Sequence, residues 1–144
     1  MTVAVLDTNI LISGLINPHG IPASVIRAWL TLRTFERAIS EVQLDELRNV
    51  TRRPELARFL RPAESGRLVN QLSALAIRVP SPLPRVDLSP DPFDNHLLAA
   101  AQAAKAHFLV SGDKQDLLAL RRMGETRIVS VNEFAQSLRI ISQR

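Results

Sequence analysis

The sequence predicts an α/β protein, a three-layer sandwich with helices on both faces of a mostly parallel sheet. Three observations lead there. Short apolar runs, "VAVL" at 3–6, "HFLV" at 107–110 and "RIV" at 127–129, read as strands, the first continuous and of the kind buried on both faces. Helix-length segments with helical apolar spacing separate them. Such alternation implies parallel strands joined by right-handed crossovers, so functional groups gather at the carboxyl ends of the strands.

Each element has its own signal. After the first strand, "TNILISGLI" reads as a short helix or turn that ends near Gly14–Pro18. "IPASVIRAWLTL" carries proline in its first turn and apolar residues at Val25, Ile26, Trp29 and Leu30. "FERAIS" is the next strand, and Ser40 with Gln43 forms an S-x-x-Q capping box for the helix "EVQLDELRNV". Further helical stretches are expected from about Pro54 and from Pro62 to Leu75, then a strand at "AIRV". Five prolines in the thirteen residues 80–92 make "PSPLPRVDLSPDP" an ordered extended loop. The clearest helix, "FDNHLLAAAQAAKA", follows it. Next come the strand "HFLV", a helix "DKQDLLALRRM", the strand "RIV", and a last helix, "NEFAQSLRI", capped by Ser130 with Glu133.

The 144 residues suffice for one domain with a real core, expected to span 1–144. No apolar run reaches the roughly 18–20 residues of a membrane span, and no signal peptide is visible. The expected location is the cytoplasm. With no cysteine, disulfides, thiolate chemistry and cysteine-based zinc sites are excluded. The net charge is +4, and sixteen of the eighteen basic residues are Arg. This composition suits an anionic partner such as RNA, and equally suits a chain that simply prefers Arg to Lys.

The acids are the informative feature. Asp7 directly follows the first strand and Asp113 follows "HFLVSG", so both are expected on one edge of the sheet. Asp94 falls in the first turn of the helix after the proline loop. Glu46 falls about two turns into its helix, able to join them if that helix crosses the edge. Singly, each has a plain structural explanation: Asp7 and Asp113 as helix caps, Asp94 as a charge complementing a helix dipole, Glu46 as a solvated surface acid. Jointly, converging carboxylates repel one another unless a cation compensates. Oxygen ligands without His or Cys favour Mg²⁺ or Mn²⁺.

Four stretches, "VLDTNILISGL", "SEVQLDELRNVTRRPEL", "DPFDNHLLAAAQAAKAHFLVSGDKQDLLAL" and "RIVSVNEFAQSL", together resemble the successive motifs of PIN-domain proteins, in particular the VapC-like toxins of type II toxin–antitoxin systems. The resemblance covers nearly the whole chain and rests on motif order and spacing. It implies a PIN-like α/β/α sandwich and a metal-dependent endoribonuclease. Carried over by position, it implies Asp7, Glu46, Asp94 and Asp113 as ligands of one or two Mg²⁺ or Mn²⁺ ions. It adds Asp116 as a further catalytic acid and Asn9 as a support beside Asp7. Ser111 stands where many relatives have Thr, and His96 where Lys is common. The resemblance also implies an RNA substrate, products with 5′-phosphate and 3′-hydroxyl ends, an antitoxin partner and a homodimer. The amphipathic segments Val25–Leu32 and Leu44–Val50 are placed either to receive an antitoxin helix or to fill the core. Arg85, Lys105, Lys114, Arg121 and Arg122 lie near the motifs as candidate phosphate contacts or as solvated helix faces.

Other readings stay open: a non-catalytic PIN module that binds RNA or a protein, and a PIN nuclease of RNA processing without an antitoxin. A phosphotransfer receiver is disfavoured, because "LDTN" supplies one acid where a pair is needed and "AIRVPSP" supplies none. A dehalogenase-type phosphatase would need an acid at Asn9.

Overall fold

The computed structural model describes residues 1–112 and 115–140. Its strands are β1 (Val3–Leu6), β2 (Glu36–Ser40), β3 (Ile77–Val79), β4 (Phe108–Ser111), β5 (Arg122–Met123) and β6 (Thr126–Ser130). They form one sheet in the order β3-β2-β1-β4-β6-β5, parallel throughout except for the antiparallel β5–β6 pair at one edge. The expected mostly parallel α/β architecture is thus present. The helices are α1 (Thr8–Ile16), α2 (Ile21–Leu30), α3 (Glu41–Thr51), α4 (Pro62–Leu75), α5 (Pro92–Ala104), α6 (Gln115–Leu118) and α7 (Val131–Ser137).

Alternation along the strands builds two cores. Leu6, Ile39 and Val110 point to the face covered by α1, α2 and α7, where Trp29, Phe35 and Phe134 are fully buried. Val5, Ala38 and Leu109 point to the opposite face, against Leu97, Leu98, Ala100 and Ala101 of α5. The small alanines let α5 lie close on the sheet. Val25, Ile26, Trp29, Leu44, Leu47 and Val50 are all buried, so the amphipathic faces of α2 and α3 are core. Among the described residues, no helix is long and apolar enough to cross a membrane.

Three expected helices are shorter than their sequence pattern. The stretch from Pro54 forms only a 3-10 turn, Pro54–Leu56, because Pro62 restarts the chain before an α-helix can grow. The helix expected over 113–123 keeps only α6 within the described residues. Arg121 then takes a left-handed φ of 59° and Gly124 turns the chain at φ 59°, which makes Arg122–Met123 an edge strand. The last helix likewise stops at Ser137, short of the expected Ile140.

Candidate active site

β1 and β4 pair through Leu6 and Val110, and the Asp7 backbone N–H donates to the Val110 carbonyl at 2.9 Å. Asp7 is therefore the first residue past the strand, on the carboxyl edge of the sheet. At φ −58° and ψ 145° its backbone has not yet turned helical, and continuing the alternation of β1 groups it with Val5 on the α5 side. By the same alternation Ser111 shares that face with Leu109. Asp7 is 1% exposed. One of its oxygens accepts from the Asn9 backbone N–H at 3.3 Å, so Asp7 itself caps α1. Asn9 meets Asp7 through its backbone and its side chain is exposed, while the buried Thr8 hydroxyl faces Gln43.

Gln43 is a contributor that the sequence pattern concealed. Ser40 does cap α3, accepting from the Gln43 backbone at 3.2 Å. The Gln43 side chain does not close the other half of a capping box. It reaches across to β1, and its amide nitrogen donates to the Leu6 carbonyl and to the Thr8 hydroxyl. These bonds hold the Leu6 carbonyl and the Thr8 side chain on either side of Asp7. Glu46, half-buried, is one turn further along the same side of α3, and α3 touches α1, β2 and α5. Through Gln43 this helix reaches the carboxyl end of β1.

Asp94 opens α5 and is also 1% exposed. Capping does not explain it, because Asp91 caps α5 by accepting from Phe93 N–H at 2.9 Å. Asp94 instead accepts from the Ser89 hydroxyl at 3.0 Å. The same hydroxyl accepts from Asp91 N–H at 3.2 Å. Asn95 then pins the proline-rich loop: its side chain accepts from Leu88 and Ser89 N–H and donates to the Ser89 carbonyl, each at 2.9 Å. Neither Ser89 nor Asn95 announces this in the sequence, because both roles need a partner five to seven residues away across a loop.

Asp116 is exposed in α6. Asp113 and Lys114 lie outside the described residues. Lys105 ends α5, at the sheet edge opposite the acids, while Arg85 is exposed on the proline loop. Arg121 and Arg122 flank the β5–β6 turn beside Arg127.

No three His, Cys, Asp or Glu side chains among the described residues form a ready-made metal cluster. The donor chemistry nevertheless fits a hard divalent ion. The Ser111 hydroxyl and the Gln43 amide oxygen are buried on this edge without a partner among the described residues. With the Asp7 and Asp94 carboxylates they are an all-oxygen set.

Comparison with known proteins places the chain in a family. A relative in Methanocaldococcus jannaschii, the uncharacterized protein MJ1680, is 29% identical over 133 residues, covering 89% of this chain and 79% of that protein. PIN domains are generally nucleases and typically use divalent metals. The family profile described as PIN domain matches residues 3–115, and the chain belongs to the PIN-domain family.

Proposed function

We propose that this protein is a Mg²⁺- or Mn²⁺-dependent endoribonuclease and acts as the toxin of a toxin–antitoxin pair. The observation that carries the nuclease reading is the placement of Asp7 and Asp94. Two almost fully buried acids from distant parts of the chain sit on the α5 side of one sheet edge, each held by a hydrogen-bonding side chain or backbone group. In this reading Asp7, Asp94, Glu46 and Asp113 hold the ion, Asp116 orients water, and Asn9 supports Asp7 from outside the ligand set. When bound, the ion supplies charge at the phosphodiester and lowers the pKa of the attacking water. The chain's own part is to fix the ligands. Gln43 holds the backbone that carries Asp7, and Ser89 fixes the orientation of the Asp94 carboxylate.

The test is cleavage of a mixed RNA pool with Mg²⁺, Mn²⁺ or EDTA, with end mapping. Cleavage should need the metal and leave 5′-phosphate and 3′-hydroxyl ends. Asp7→Asn and Asp94→Asn should each lower the rate by ~100-fold or more, since loss of even an outer-sphere partner costs about 10–100-fold. Full activity in both variants refutes the assignment, and RNA binding without cleavage under every metal would favour a non-catalytic module. The toxin role rests on the resemblance of the motifs to VapC-like proteins. Co-expression with the product of a neighbouring small gene should give a complex that suppresses cleavage, and the mass of the free protein in solution should be that of a homodimer.

A further inference from the structure

We propose that the cleft between α3, the start of α5 and the proline-rich loop seats one unpaired nucleotide of a single-stranded RNA, next to the phosphodiester that is cut. The proposal rests on the nuclease reading for the word "cut" and on the cleft itself for the rest. The cleft has a volume of about 520 Å³, within the range that holds small ligands. It adjoins the acidic edge through two helices. Val42, in its wall, is one turn before Glu46 on α3, and Asn95 and His96 directly follow Asp94 on α5.

Its chemistry suits a nucleotide. Leu83, Val86 and the half-exposed Val42 give aliphatic surface for the face of a base, while Arg85 and His96 are exposed at the rim to meet phosphate. No acid is among its lining residues. A cationic, acid-free cleft with apolar walls complements an anionic chain with flat apolar bases better than it does an acidic or neutral protein helix. Selection for single strands follows, because a base that enters must leave its stack. The wall is fixed: Asn95 bonds both the N–H and the carbonyl of Ser89, and Ser89 bonds Asp94. The base seat and the acid therefore share one set of hydrogen bonds.

Binding separates this proposal from the chemistry. In Asp7→Asn protein, anisotropy with a fluorescein-labelled single-stranded oligoribonucleotide of about a dozen residues covers the site. The double variant Arg85→Glu/His96→Glu should weaken binding roughly 10–100-fold, with the salt dependence reduced. Val42→Trp, which fills the cleft, should weaken binding to the intact oligonucleotide but not to one made abasic at the seated position. Circular dichroism and melting confirm that these surface variants fold. In active protein the same changes should raise KM and leave kcat nearly unchanged. Affinity unchanged in both variants, or equal competition by duplex RNA, overturns the proposal and leaves the cleft to a protein partner. Metal-dependent cleavage lost in Asp7→Asn but indifferent to Arg85, His96 and Val42 removes the seat and keeps the nuclease. Binding losses without any cleavage remove the nuclease and keep the seat.

Discussion

Arg37 offers the most quantitative test of the fold. It lies in β2, fully buried, and none of its three guanidinium nitrogens has a hydrogen-bond partner among the described residues. Its charge faces the Trp29 ring at 5.2 Å, and the buried indole N–H of Trp29 is a second unpaired donor. Burial pulls the guanidinium from its ordinary value down to about 9. A difference of about 3.5, at 1.36 kcal/mol for each tenfold, puts the cost of holding that charge at neutral pH on the order of 5 kcal/mol. The contact with Trp29 returns about 2 kcal/mol. Arg37→Met keeps length and flexibility and removes the charge. It should stabilise the protein by roughly 2–3 kcal/mol, since replacing buried charge by apolar volume is often favourable. At this chain length that is a rise in Tm of about 4–12 °C, measured by thermal and urea unfolding. The pH sign is set by a base whose folded-state pKa lies below its unfolded value. Between about pH 9 and the ordinary arginine value the unfolded chain binds more protons at this group, so its contribution to stability rises with pH across that window. The stability difference between variant and wild type should shrink over the same window. A variant destabilised by more than about 2 kcal/mol would show that the guanidinium is held by an acceptor, and the reasoning would fail.

Two further substitutions probe the groups that hold the acids. Ser89→Ala removes a hydrogen bond to a buried carboxylate and strands the Asp91 N–H, so unfolding free energy should fall by about 2–3 kcal/mol and kcat should drop with little change in KM; unchanged kcat in a folded Ser89→Ala protein would show that Asp94 needs no such support. Gln43→Leu keeps the volume, removes the donor to Leu6 and also removes a buried oxygen without a partner, so stability should move by no more than about 1 kcal/mol. Cleavage should still fall by about 10-fold or more, because the backbone beside Asp7 loses its clamp; equal activity in wild type and variant would assign Gln43 to packing alone.

Most of the fold was legible because its signals are local. A four-residue apolar strand, a proline at a helix start and a serine cap each declare themselves within one turn, and α4 begins and ends where Pro62 and Leu75 indicate. The acids Asp7 and Asp94 were legible for the same reason, as charges placed where a parallel sheet collects its chemistry. What stayed hidden depends on partners distant in the chain. Gln43 looked like half of a capping box, yet its amide answers a carbonyl thirty-seven residues upstream in β1. The "LLALRRM" segment has helical spacing, and only the left-handed turns at Arg121 and Gly124 convert its end into an edge strand paired with β6. Arg37 alternates correctly along β2 as a position and violates the pattern as a residue, so no periodicity argument finds it buried.

The proline-rich loop shows how a segment without regular structure can carry two tasks. Proline limits the backbone to few conformations, which lowers the entropy lost on fixing the loop against α5. Asn95 and Ser89 then tie it to the first turn of that helix. The inner side of the loop orients Asp94, and the outer side, through Leu83, Arg85 and Val86, forms a wall of the adjoining cleft. One rigid piece thus sets the distance between a bound base and the acid that would act beside it. Changes on the two sides should consequently separate. Ser89 governs the acid and hence turnover, whereas Arg85 governs occupancy of the cleft and hence affinity. A loop that merely connected β3 to α5 would give neither effect, and a mobile one would blur both into a single loss.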